Sequence, residues 1–136
     1  MKIKYDTQIM KLMYFFESQT GAKLKDCFID KNNTLTFVVN ENIGRAIGRN
    51  GESYKKLTAK LKRSIKIFAY SDKIEEFVRN MVLPLRVRSV ELREKTVIIK
   101  PEPESRGYII GRGGSNLRII QNATQRYFDI DEVKVL

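Results

Sequence analysis

An α+β chain of two tandem units, residues 1–70 and 71–136, is predicted, each running α-β-β-α-α-β with a three-stranded sheet and helices packed on one face. The first observation behind this is an internal repeat. Gly44, Gly48 and Gly51 form the pattern G-x-x-x-G-x-x-G, and Gly107, Gly111 and Gly114 repeat it 63 positions later. The match extends to neighbours: Ile47-Gly48-Arg49-Asn50-Gly51 answers to Ile110-Gly111-Arg112-Gly113-Gly114, Leu57 and Ile67 to Ile120 and Ile130, and Thr34-Leu35-Thr36 to Val97-Ile98-Ile99. The second observation is an amphipathic run opening each unit, and the third is a pair of short strand-like runs after it.

In order along the chain, Ile9, Leu12, Met13 and Phe16 carry the i, i+3, i+4, i+7 spacing of a helix with one buried face, as do Ile74, Phe77, Val78 and Met81. The first helix is expected to start at Asp6 or Thr7, and the second at Asp72, where Asp72-x-x-Glu75 reads as a capping pair. Strand runs Asp26 to Ile29 and Leu35 to Val39 flank the polar turn Lys31-Asn32-Asn33, and Val87 to Leu92 and Thr96 to Ile99 flank Arg93-Glu94-Lys95. Each pair reads as a hairpin. A short helix then leads into the glycine loop, a longer helix follows, and closing strands run from Ser64 to Ala69 and from Asp129 to Val135. Pro84 is expected to end the opening helix of the second unit, while Pro101 and Pro103 end a strand and introduce the next helix. At the boundary, Tyr70-Ser71-Asp72, there is no Pro/Gly/Ser-rich linker, so the units are expected to pack against each other and not to swing freely.

Composition narrows the function. Apolar residues make up 42% and charged residues 31%, which fits a globular chain. No apolar run has the length of a signal segment or a membrane span, so a cytoplasmic chain without a membrane partner is expected. Cys27 is the only cysteine and histidine is absent, which removes intramolecular disulfides, thiolate zinc clusters and histidine acid/base chemistry. Cys27 itself, in Cys27-Phe28-Ile29, reads as a buried strand residue. No Gly-Lys-Ser/Thr follows either glycine loop, and Gly107 to Gly114 lacks dinucleotide-binding spacing. No enzyme activity, cofactor, metal or small-molecule substrate is therefore expected. The net charge of +10 favours a polyanion. It is unevenly placed: residues 1–70 hold 14 basic and 6 acidic residues, a net of +8, and residues 71–136 hold 12 and 10, a net of +2.

A glycine pair three residues apart between two helices has a chemical use. Gly48 and Gly111 fall where the short helix ends, a place that often needs positive φ; helix termination alone is the plain alternative. In the functional reading, a sugar-phosphate backbone approaches a loop without side chains at its glycines, and amides at the start of the next helix face phosphate oxygens. Arg49 and Arg112 would add charge-assisted contacts, or could be solvated loop charges. An apolar groove floor for bases could come from Val39, Ile43 and Ile47 in the first unit and Ile99, Ile109 and Ile110 in the second, although such residues are often core. No aromatic residue lies in either loop. Lys55, Lys56, Lys60, Lys62 and Arg63 could extend a positive track or simply solvate a helix face; Arg118 is the sparse counterpart in the second unit.

These residues resemble the KH family, and the α-β-β-α-α-β order resembles its type II form. The closely joined pair, with Ile-Gly-Arg-Asn-Gly and Ile-Gly-Arg-Gly-Gly-Ser-Asn, is similar to the paired KH module of the NusA family of transcription elongation and termination factors. The resemblance covers nearly the whole chain. It implies an RNA-binding protein in which each loop grips about four nucleotides of single-stranded RNA. The residues it assigns are Gly48, Arg49, Asn50 and Gly51, and Gly111, Arg112, Gly113 and Gly114; the groove and charge readings above add Ile47, Ile110, Lys55 and Arg118 to the candidate site. RNA polymerase is a partner by family analogy alone. A ribosome-associated or assembly role, on structured rRNA or a protein partner, is the alternative.

Overall fold

The computed structural model describes residues 6–30 and 33–136. These divide into two compact units, with the division between Tyr70 and Ser71. Both units show the expected α-β-β-α-α-β order. The turn residues Lys31 and Asn32 lie outside the described residues.

In the first unit, helix α1 (Thr7–Thr20) begins where the Asp6 carboxylate accepts a hydrogen bond from the Ile9 amide at 2.8 Å. Gly21 ends it with φ 76°, a left-handed residue that costs glycine little. Only Phe16 of the apolar stripe is fully buried; Ile9, Leu12 and Met13 are half-buried against the same core. Phe16 stacks on Phe37 with ring centroids 4.2 Å apart. Burial of a side chain of that size stabilises the fold by about 1.5–3 kcal/mol.

Phe37 belongs to β2 (Leu35–Glu41), the central strand. It pairs antiparallel with β1 (Lys23–Ile29), in register Cys27 with Phe37, and parallel with β3 (Ile65–Ala69), in register Phe37 with Ile67. Leu35, Phe37 and Val39 join Phe16, Ala46 and Leu57 in one core, and Cys27 is buried there. Ala46 lies on α2 (Ile43–Ile47) and Leu57 on α3 (Glu52–Leu61). The sheet thus faces the helices that flank the glycine loop. Strand β1 starts at Lys23, earlier than the apolar run at Asp26 suggests, because its first residues reach β2 across two irregular registers.

The second unit opens with α4 (Ile74–Val82), whose Ile74, Phe77, Val78 and Met81 are all buried. Its start corrects the expected capping pair. Lys73 occupies the cap position and no side chain closes the helix, so Asp72 and Glu75 do not form a capping box. The helix stops at Val82, two residues before Pro84. Strands β4 (Val87–Arg93) and β5 (Thr96–Pro101) make a hairpin with Glu94 at φ 54° in the turn. Pro103 sits at the start of a single 3-10 turn, Pro103–Ser105, that leads into α5 (Arg106–Ile110). Helix α6 (Ser115–Tyr127) follows the loop, and β6 (Glu132–Val135) closes the sheet parallel to β5. Phe77 packs against Tyr127 and Phe128, both 5.4 Å away between ring centroids.

The fixed displacement of 63 holds into the helix after each loop, where Leu57 and Ile120 are both buried, but not into the closing strand. Ile67 pairs with Phe37 inside β3, whereas Ile130 is a buried residue ahead of β6. The reason is length: α6 has 13 residues against 10 in α3, so the second sheet resumes later in the chain.

Candidate nucleic-acid interface

Each loop is built between two helices that its first glycine brings together. Gly48 ends α2 at φ 79°, ψ 169°, and Gly111 ends α5 at φ 75°, ψ 172°. That corner of backbone space is essentially reserved for glycine. Contact adds a second reason. A Cβ on Gly48 would lie 2.6 Å from the Ser53 hydroxyl and 2.7 Å from the Ser53 amide nitrogen, and one on Gly111 would lie 2.8 Å from the Asn116 nitrogen. Helix termination and close packing therefore account for the first glycine of each motif.

They do not account for the rest of the loop. Arg49–Gly51 and Arg112–Gly114 each form a single 3-10 turn that closes when the last glycine donates its N–H to the carbonyl of the first, at 3.1 Å in both units. Asn50 (φ 55°, ψ 28°) and Gly113 (φ 61°, ψ 21°) take the same left-handed conformation, and so do Gly51 (φ 72°) and Gly114 (φ 77°). Asparagine tolerates this region better than most residues, which is why it can stand where the second unit has glycine. A Cβ on Gly51 or Gly113 would meet no heavy atom within 4 Å, so these faces are open. No side chain caps α3 or α6, leaving the positive end of each helix dipole beside the loop.

Arg49 and Arg112 are exposed, and neither is paired with a carboxylate among the described residues. Ile47 is 40% exposed at the end of α2, and Ile110 is half-buried at the matching place on α5. Val39, Ile99 and Ile109 are fully buried core residues, so they are not the groove floor that their apolar character suggested. Ile43 is half-buried against the same core.

The basic residues sort themselves. Lys55 is exposed on α3. Lys56 pairs with Glu52 at 3.4 Å, Lys60 donates to the Gln19 side chain at 3.1 Å, and Arg63 donates to Asn33 at 3.0 Å. Of the two readings of these residues, a positive track or a solvated helix face, the first is weakened where Lys56, Lys60 and Arg63 make contacts within the fold. Arg118 departs furthest from its expected role. Its Nη1 donates to the Gly113 carbonyl at 2.8 Å and lies 3.3 Å from where a Cβ on Gly114 would sit. It braces the second loop from behind.

Two residues that carry weight here were given no role by the sequence: Asn116, which closes the quoted Ile-Gly-Arg-Gly-Gly-Ser-Asn stretch, and Tyr108. Asn116 donates through Nδ2 to the Ile109 carbonyl at 2.9 Å and to the Tyr108 carbonyl at 3.4 Å, tying the start of α6 to α5. Tyr108, three residues ahead of Gly111, is 73% exposed. Its spacing from the loop was visible in the sequence, but its exposure was not. Among the described residues, no cluster of three His, Cys, Asp or Glu side chains could hold a metal ion, and no helix is long and apolar enough to cross a membrane.

Comparison with known proteins bears on the family and the fold. Residues 11–79 match the model of the KH domain, and residues 74–135 match that of the NusA-like second KH domain. The chain is 30% identical over 141 residues to the probable transcription termination protein NusA of Methanococcus vannielii, covering 100% of this chain and 81% of that one. It is 29% identical over 138 residues to the protein of the same name from Halobacterium salinarum, covering 99% of each. The crystal structure of APE1850 superposes with a TM-score of 0.77 at 30% identity, covering 97% of this chain and 100% of that one.

Proposed function

The chain belongs to the NusA-like family of paired KH-domain proteins, and from that premise we propose that it is a transcription termination and antitermination factor whose two Gly-x-x-Gly loops grip single-stranded RNA. The observation that carries the loop assignment is duplication: two stretches with different side chains, Arg-Asn-Gly and Arg-Gly-Gly, hold the same left-handed backbone beside an uncapped helix start. Packing needs only the first glycine of each motif. The open face at Gly51, and at Gly113 in the second unit, lets a phosphodiester approach main-chain atoms. Arg49 and Arg112 then supply charge-assisted contacts to phosphate, and Ile47 and Ile110 offer apolar contact to adjoining bases. Such loop contacts position a strand without reading its sequence.

The test replaces both variable residues of each loop by aspartate: Arg49→Asp with Asn50→Asp, and Arg112→Asp with Gly113→Asp. Aspartate tolerates the left-handed position, so folding should be retained in circular dichroism. Affinity for short single-stranded RNA should fall by at least about tenfold, the scale of losing one charge-assisted contact. Unchanged affinity in folded protein refutes the loop grip. Contact with RNA polymerase in the cytoplasm is the finer part of the proposal, and affinity capture from cells tests it. Enrichment of ribosomal subunits without polymerase would overturn the role in transcription.

A further inference from the structure

Beyond the phosphate grip, we propose that Tyr108 is a base-stacking platform, so that the second unit stacks a nucleobase where the first unit has Arg45 in the matching place. This rests on the loop-grip reading and adds a subsite to it.

Tyr108 is a large aromatic residue, 73% exposed, on a helix whose next residue, Ile109, is fully buried. Most of the residue stays in solvent in that position. The backbone beneath it is nonetheless held firmly. Asn116 donates to the carbonyls of Tyr108 and Ile109, and the same Asn116 is the residue that Gly111 must be glycine to accommodate. One asparagine therefore locks the loop and the tyrosine into a single piece. At the other end of α5, Arg106 Nε donates to the Leu136 carbonyl at 3.0 Å.

Tyr108 precedes Gly111, the residue that ends α5, by three positions, and positions three apart along a helix are neighbours about 5–6 Å apart, so the side chain starts within one nucleotide's reach of the loop. A strand whose phosphate sits on Gly111–Gly114 would bring a neighbouring base alongside it. The matching residue of the first unit is Arg45, and its guanidinium is turned back toward the α1–β1 corner, 3.4 Å from where a Cβ on Gly21 would lie. Tyr54, a partly exposed aromatic on the helix that follows the first loop, has its hydroxyl engaged with the Ile65 carbonyl at 3.1 Å. The +2 unit carries an exposed aromatic three residues ahead of its loop, whereas the +8 unit has Arg45 in that place and its exposed Tyr14 on α1. Stacking is the interaction that holds a base without needing charge or a particular sequence.

Fluorescence anisotropy of the full chain tests this with three labelled oligomers of equal length: oligoadenylate, oligouridylate and an abasic ribose-phosphate oligomer. Tyr108→Leu should bind oligoadenylate about tenfold more weakly, oligouridylate less weakened, and the abasic oligomer as wild type does. Tyr108→Phe should stay within about twofold of wild type on all three. Equal loss in the Leu and Phe variants would assign the effect to the hydroxyl, and equal loss on the abasic oligomer would make it positional; either overturns the platform. Unchanged binding by Tyr108→Leu, while the paired aspartate variants of the second loop still lose affinity, overturns the platform and leaves the loop grip standing. Absence of binding by wild type to every oligomer overturns both.

Discussion

A methyl group added at Gly111 would meet the Asn116 nitrogen at 2.8 Å, while one added at Gly51 would meet nothing within 4 Å. Both residues have positive φ, so an alanine at Gly51 pays only for the left-handed backbone, about 1–2 kcal/mol. Gly111→Ala adds the overlap and the rarer ψ of 172°, and should cost about 2–5 kcal/mol. Urea unfolding should rank them in that order; equal costs would mean that α6 can shift away from α5. Arg118 allows a sharper test, because a phosphate ligand and a loop brace differ in salt dependence. For single strands, each phosphate contact adds about 0.7 to the magnitude of the slope of log K against log salt. Arg112→Gln should reduce the slope by about that much. Arg118→Gln should weaken binding with the slope unchanged, since its guanidinium is occupied by the Gly113 carbonyl. A lowered slope in Arg118→Gln would make it a phosphate ligand after all. The glycines were legible in the sequence because their spacing repeats, but the turn of Arg118 back onto the loop was not, since helical spacing assigns a face and not a hydrogen-bond partner.

Helices and strands were legible to the extent that one pattern had one physical cause. The stripe Ile74, Phe77, Val78, Met81 is buried as a whole, but the equivalent stripe of α1 buries only Phe16 completely. Apolar residues near the loop illustrate the limit of pattern. Ile109 and Ile110 are adjacent and identical, yet one is core and the other half-exposed, a difference set by 100° of helix rotation. Strand β3 carries a similar surprise. Lys66, between Ile65 and Ile67, has a pKa lowered from 10.5, chiefly because burial disfavours its ammonium and in spite of the Asp30 carboxylate, which acts the other way. Below the lowered folded value, both folded and unfolded chains hold the proton and this group adds no pH dependence. Between that value and 10.5 the unfolded chain holds a proton that the folded chain has released, so stability rises with pH and levels off above 10.5. The wild type should therefore gain on a Lys66→Met variant as urea unfolding is moved from about pH 7 to about pH 10. Drift in the opposite direction would show that attraction to Asp30 outweighs burial.

At the scale of the whole chain, two loops on one polypeptide raise the question of whether they serve one strand. Each KH loop spans about four nucleotides, so an oligomer of that length can fill only one. On it, the paired aspartate variant of the second loop should lose one binding site and leave the affinity of the other unchanged. A longer oligomer that reaches both loops makes the second contact intramolecular, and its effective concentration can raise affinity by a factor of about 100 or more. Loss of either loop should then cost most of that gain, and the length at which the cost first appears measures the path between the loops. The charge asymmetry predicts which loss is more sensitive to salt. With +8 in residues 1–70 and +2 in residues 71–136, binding retained by the first loop alone should fall more steeply with salt than binding retained by the second. If anisotropy titrations show the same cost at every length, the loops act on separate strands, and the duplication multiplies sites without joining them.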